Sequence, residues 1–144
     1  MGNIPWHPFL AHFPIALWVM GSLILCGATM LKRPSWRTFA WFLLAGAALA
    51  AIPTAVTGAS DYADLAHLNL GVLRDHRDCG NLLPWFMGTV VLVRTHVHFT
   101  AGKWAPPLWV WCIICLAISG GVLYTAYLGG HLVYGSEYGF GRFL

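Results

Sequence analysis

Charged residues cut the chain into long uncharged runs. No Asp, Glu, Lys or Arg occurs from Met1 to Leu31. Lys32, Arg33 and Arg37 follow, and Thr38 to Ser60 is uncharged again. Asp61 to Asp78 holds most of the remaining charge, and Cys79 to Val93 holds none. Arg94 and Lys103 bracket a short segment before the last uncharged run, Trp104 to Ser136. A bilayer core of about 30 Å takes roughly 20 apolar helical residues. The pattern therefore predicts an all-α membrane protein, a four-transmembrane-helix bundle forming one domain over residues 1–144. The helices are expected at about 8–31, 38–58, 80–100 and 107–130. The third is the least apolar, because Arg94 lies near its end, where its long stem can snorkel to the interface.

Composition sharpens this. Hydrophobic residues make up 58% of the chain and charged residues 9%, against about 25% charged in soluble domains. A disordered chain and a soluble domain are both excluded. The net charge of +3 is not gathered on a polar domain, so no nucleic-acid partner is expected. Lys32, Arg33, Arg37, Arg94 and Lys103 have no acid among them. Asp61, Asp64, Asp75, Asp78 and Glu137 share the opposite side with Arg74, Arg77 and Arg142. The positive-inside rule then puts the basic loops in the cytoplasm and both termini outside, in the periplasm of a bacterium, with the chain multi-pass in the inner membrane. Trp36, Trp41 and Trp104 flank the basic loops, and Trp6, Trp85 and Tyr134 mark the other interface. Met1–Pro5 lacks the basic start of a cleavable signal peptide and the Ser/Thr of a myristoylation motif. No internal repeat beyond alternating helices is evident.

Seven histidines are many for so apolar a chain. His7, His12, His67, His76 and His131 fall on the outer side, while His96 and His98 sit beside Arg94. Ionisable residues at membrane depth are costly and point to function. A lone interfacial imidazole is commonly a satisfied amphipathic side chain, and His67, His96 and His98 read that way. His7, His12, His76 and His131 are the candidate ligands. His12 leads, being a turn inside a helix with almost no other polar group.

Two imidazoles on neighbouring helices can clamp the iron of a haem, a flat apolar group with two propionates that suits a helix bundle. Small residues permit close approach: Gly46, Ala50, Thr54 and Gly58 in the second helix, and Ala117, Gly121 and Thr125 in the fourth. Ordinary membrane-helix packing uses the same stripes. Arg74 and Arg77 can pair with propionates or with Asp75 and Asp78. A bare zinc or copper ion is the competing ligand, but no HxxxH and no paired CxxC motif is present. Cys112 and Cys115 share a helix face and read as packing, as does Cys26. Cys79 has no mate, so no disulfide framework is implied. Soluble-enzyme motifs are absent, and the four outer-loop aspartates read as solvated surface.

The segment His7-Pro8-Phe9-Leu10-Ala11-His12-Phe13-Pro14-Ile15-Ala16-Leu17 resembles the opening of an uncharacterised family of bacterial membrane proteins. That family is a domain of unknown function with an HPxxxHFPIAL start, a TGxxD stretch, a histidine before the third helix and a GGxLVY close. Thr57-Gly58-Ala59-Ser60-Asp61, His76 and Gly129-Gly130-His131-Leu132-Val133-Tyr134 fit in order. The resemblance implies four transmembrane helices. Related domains often stand beside c-type cytochromes and membrane oxidoreductases, which implies a redox role by association. Pro8 suits a first helical turn. Pro14 frees the carbonyl of Leu10, and a bend there is expected to turn His12 inward.

The expectation is a haem b-binding electron-transfer subunit of a membrane complex, with one or two haems near the periplasmic face. His12, His76, His131 and His7 would ligate, Asp61 would anchor an imidazole, and Arg74 and Arg77 would meet propionates. Lipid, other membrane subunits and a c-type cytochrome or oxidoreductase are the expected partners, and the chain itself is expected to be non-catalytic. The alternatives are an assembly subunit without a cofactor and a chlorophyll- or copper-binding accessory protein.

Overall fold

A computed structural model describes residues 6–65, 70–100 and 106–134. His67, Lys103, Trp104, Glu137 and Arg142, each placed above from the sequence, lie outside the described residues. Four helices follow in order: α1 (Trp6–Met30), α2 (Pro34–Leu65), α3 (Gly71–Thr100) and α4 (Leu108–Tyr134). Three of them, α1, α2 and α4, are long and apolar enough to cross a membrane. The 25 residues of α1 reach about 38 Å at 1.5 Å per residue.

The α1–α2 turn is tight for a local reason. Lys32 takes a left-handed backbone with φ 53°. Its N–H bonds Thr29 O at 3.3 Å, and Arg33 N–H bonds Ala28 O at 2.8 Å. This is a Schellman cap with lysine in place of glycine, and Pro34 then opens α2 with its φ pre-set.

Two boundaries differ most from the hydropathy pattern. The helix expected over 38–58 runs to Leu65, and the one expected to begin near 80 begins at Gly71. The polar stretch 60–79 is therefore largely helical. Loss of hydropathy marks where the apolar environment ends, whereas a helix ends at a cap or a breaker. After Gly58 neither intervenes before Leu65.

The helices form a four-membered ring. Each packs on the helices next to it in sequence, α1 also packs on α4, and the diagonals are not in backbone contact. The topology is up-down-up-down. Trp18, Leu25, Leu44, Met87 and Cys115 are fully buried in the centre. A polar seam joins α1 to α4. Trp18 Nε1 donates to Cys115 O at 3.2 Å. Ser22 Oγ donates to Trp18 O at 2.8 Å, and Ser119 Oγ donates to Ser22 Oγ at 3.1 Å. The outer faces carry exposed Phe42, Leu49, Trp85 and Leu92, as lipid-facing surfaces do.

The α1–α2 contact depends on Gly21. A Cβ there would lie 3.0 Å from Leu44 Cγ and 3.2 Å from Leu43 Cβ, and the latter cannot move without its backbone. Gly21→Ala is expected to lower stability by about 1–3 kcal/mol, the usual range for overpacking. Thermal unfolding in mild detergent measures it, and an unchanged transition contradicts the close contact.

Candidate functional site at the histidine end

Helical periodicity decides which imidazoles turn inward. At about 100° per residue, His7, Pro14, Trp18 and Leu25 share one face of α1. Pro14, Trp18 and Leu25 are buried, and His7 is half-buried. The same spacing recurs on α3, where His76, Leu83, Met87 and Arg94 share a face, Met87 is buried and the other three are half-buried.

Each inward imidazole is fixed by a carbonyl of the next helix. His7 Nδ1 lies 2.9 Å from Thr54 O on α2. His76 Nδ1 lies 3.0 Å from Thr125 O on α4. A carbonyl oxygen only accepts, so each Nδ1 carries the proton. In the neutral ring, each Nε2 then presents a lone pair. The two rings meet across the α1–α3 diagonal with centroids 5.9 Å apart and planes at 78°.

Glycines make room for both. A Cβ on Gly58 would lie 2.7 Å from His7 Cε1, and one on Gly129 would lie 3.0 Å from His76 Cε1. Each glycine stands four residues after the threonine whose carbonyl holds the ring, so both lie on one helix face. Each threonine hydroxyl donates back to its own helix, Thr54 Oγ1 to Ala50 O at 2.9 Å and Thr125 Oγ1 to Gly121 O at 3.0 Å. The hairpins α1–α2 and α3–α4 thus present the same unit, an imidazole held by a threonine carbonyl above a glycine. This is an internal repeat of structure that sequence inspection did not reveal.

The other expected site residues stand elsewhere. His12 is exposed, and its Nδ1 bonds Pro8 O of its own helix at 2.6 Å. Five residues from His7 is about 140° around the helix, so the two cannot both face inward, and α1 remains helical through Pro14. His131 is exposed and pairs its Nε2 with Tyr127 Oη at 2.9 Å. Asp61 is half-buried within α2, and the anchoring of His7 falls to the Thr54 carbonyl. Arg77 bonds Asp78 through Nε at 2.8 Å and Nη2 at 2.6 Å and lies 4.4 Å over the Tyr62 ring. Arg74 is exposed on the first turn of α3. His96 and His98 are exposed near the end of α3. Among the described residues no three His, Cys, Asp or Glu side chains are grouped to hold a bare metal ion.

The glycines expected in the stripes face neighbouring helices, and Gly58 alone of them lies against an imidazole. Gly46 faces Leu17 of α1, and Gly121 faces Leu83 of α3. Ala117, expected in the stripe of α4, is exposed, and Gly129 takes the place at the end of that stripe.

An up-down-up-down bundle with three apolar helices of spanning length, two imidazoles bridging one end, defines a helical membrane protein. The family described as "Predicted membrane protein (DUF2231)" matches residues 3–141. The chain belongs to that family. No curated protein and no solved structure matches it.

Proposed function

We propose that His7 and His76 hold the iron of one haem b between them and that the chain relays electrons as a small subunit of a larger membrane complex. The observation that carries this reading is the state of the two rings. Both are anchored through Nδ1 by main-chain carbonyls, the arrangement that orients ligating imidazoles and raises their basicity. Their separation of 5.9 Å also suits a shared metal. A metal–imidazole bond of about 2.0–2.1 Å, as to zinc, sets two coaxial ring centroids roughly 6 Å apart. When bound, haem supplies the one-electron chemistry of its iron. The chain's part is to keep both rings neutral and aimed, and to bring glycine backbone close to them. Arg74, on the first turn of α3, is a candidate cation for a propionate.

In this reading all four helices span the inner membrane of a bacterium. α3 does so with Arg94 turned into the bundle, the basic loops are cytoplasmic, and the histidine end with both termini is periplasmic. A c-type cytochrome or oxidoreductase on the periplasmic face is then the electron partner. A reporter fused after Leu144 is expected to be active only when translocated, and cytoplasmic activity of that fusion contradicts the orientation.

A specific observation favours a second reading, an assembly subunit without a cofactor. The same two hydrogen bonds tie α1 to α2 and α3 to α4, and interhelical bonds stabilise membrane bundles without any ligand. A reduced-minus-oxidised absorption spectrum separates the two. The haem reading expects a Soret shift and an α-band. A protein that shows neither, even when isolated with its natural partners, leaves the assembly reading.

A further inference from the structure

The opposite end of the bundle holds a second cluster, independent of the histidines. Arg94 on α3 lies with Cζ 5.4 Å from the Trp41 ring centroid on α2 and 5.8 Å from that of Trp111 on α4. The two indoles are themselves edge-to-face at 6.1 Å and 84°. Arg37 stands one turn before Trp41, on the same face of α2. Three N–H donors of this group, Arg37 Nε, Trp41 Nε1 and Arg94 Nε, are buried and have no hydrogen-bond acceptor among the described residues.

Buried donors are almost always satisfied, and an unsatisfied one in a native fold calls for an explanation. Stacking on aromatic faces holds a guanidinium in place but accepts none of its N–H groups. Among the described residues no carboxylate lies at this end. Asp61, Asp64, Asp75 and Asp78 lie at the histidine end, on the last turns of α2 and the first turns of α3. Two cations and an indole N–H with no internal acid make a receptor for an external anion.

The surroundings indicate which anion. On α1, α2 and the turn that joins them, at the same end, Ile24, Gly27, Ala28, Leu31, Arg33 and Trp36 line an apolar groove of about 420 Å³. A free phosphate has no use for such a groove, whereas an acyl chain fits it. Basic pockets between transmembrane helices are a recurrent headgroup site. A choline headgroup would bring a cation against Arg33, Arg37 and Arg94, so a lipid with net negative charge is favoured.

We infer that Arg37, Trp41 and Arg94 form a phosphate-binding site for the headgroup of an anionic phospholipid at the basic end of the bundle. The phosphodiester oxygens accept from both guanidinium groups and from the indole. The lipid thereby completes the hydrogen bonding of three helix-embedded donors and ties α2 to α3.

The test uses the full chain in mild detergent, with thermal unfolding and native mass spectrometry. Phosphatidylglycerol, phosphatidylcholine and inorganic phosphate are added separately. Phosphatidylglycerol is expected to raise the unfolding temperature and to remain bound, and the other two are not. Arg94→Gln is expected to weaken lipid retention by roughly tenfold or more, the effect of one charge-assisted hydrogen bond. Lys32→Gln, which removes an exposed cation at the same end outside the groove and the cluster, should retain lipid as the parent does. Arg94→Met provides a control against misfolding. Removing an unpaired buried charge should leave the lipid-free protein as stable or more stable, while abolishing the response to phosphatidylglycerol. Equal stabilisation by phosphatidylcholine or by inorganic phosphate overturns the assignment, as does a full phosphatidylglycerol response in Arg94→Met.

Discussion

His7→Ala is expected to give a protein that inserts and folds but carries no haem absorbance, and His76→Ala is expected to do the same. If His7 and His76 both hold the iron, each hairpin supplies one ligand and neither half suffices. The loss is expected to be near complete rather than graded, because a single imidazole leaves the iron one strong bond short while the Thr54 or Thr125 carbonyl also loses its donor. The structural cost is small by comparison, about 1 kcal/mol for a single net hydrogen bond. His12→Ala, His96→Ala and His98→Ala are expected to keep the spectrum, since these rings are exposed and face away from the pair. Haem absorbance per protein absorbance in detergent measures this. Full occupancy in His7→Ala, or loss in His12→Ala with retention in His7→Ala, contradicts the assignment of the ligand pair.

The second large effect is expected from a single methyl group. A Cβ on Gly58 would lie 2.7 Å from His7 Cε1 and 2.9 Å from Nδ1, closer than non-bonded atoms approach. Gly58→Ala therefore forces the imidazole off the Thr54 carbonyl or pushes α1 from α2. In either case the His7 ring is displaced from its place 5.9 Å from that of His76. Haem content is expected to fall severalfold or more, although no ligand has been changed. Gly129→Ala, with Cβ at 3.0 Å from His76 Cε1, is expected to act in the same direction and more weakly. Gly27→Ala meets nothing within 4 Å and serves as the matched control. A normal haem content in Gly58→Ala contradicts the tight seating of His7.

Much of this architecture was legible in the chain, for physical reasons. Membrane thickness imposes the length of the uncharged runs, so the number of helices and their order follow from charge spacing. The ends of α2 and α3 were not legible, because hydropathy reports the solvent around a helix and not its hydrogen-bonding limit. The candidate site was legible in part. His7 and His76 stood among the four expected ligands, and the stripe that carries Thr54 and Gly58 was read as close-packing.

The pairing of their rings follows from direction around the helix rather than from depth along it. His12 is deeper in α1, but His7 is in phase with Pro14, Trp18 and Leu25. The matching phase of His76, Leu83, Met87 and Arg94 was present in the sequence and would have marked both imidazoles as inward. The carbonyl anchors were invisible, because any residue carries a carbonyl and only the fold determines which ones meet an imidazole. The glycines beneath the rings were ambiguous for a similar reason, since packing stripes and ligand clearances share one composition.

The central proposal is that His7 and His76 would together hold the iron of one haem. Electron paramagnetic resonance of the oxidised protein tests it most directly, because the spin state of a ferric haem reports whether one or two imidazoles hold the iron. The account predicts that iron held by both rings would give a low-spin ferric haem signal, lost in both His7→Ala and His76→Ala. A high-spin signal from five-coordinate iron, or no ferric haem signal from the protein isolated with its natural partners, would contradict it.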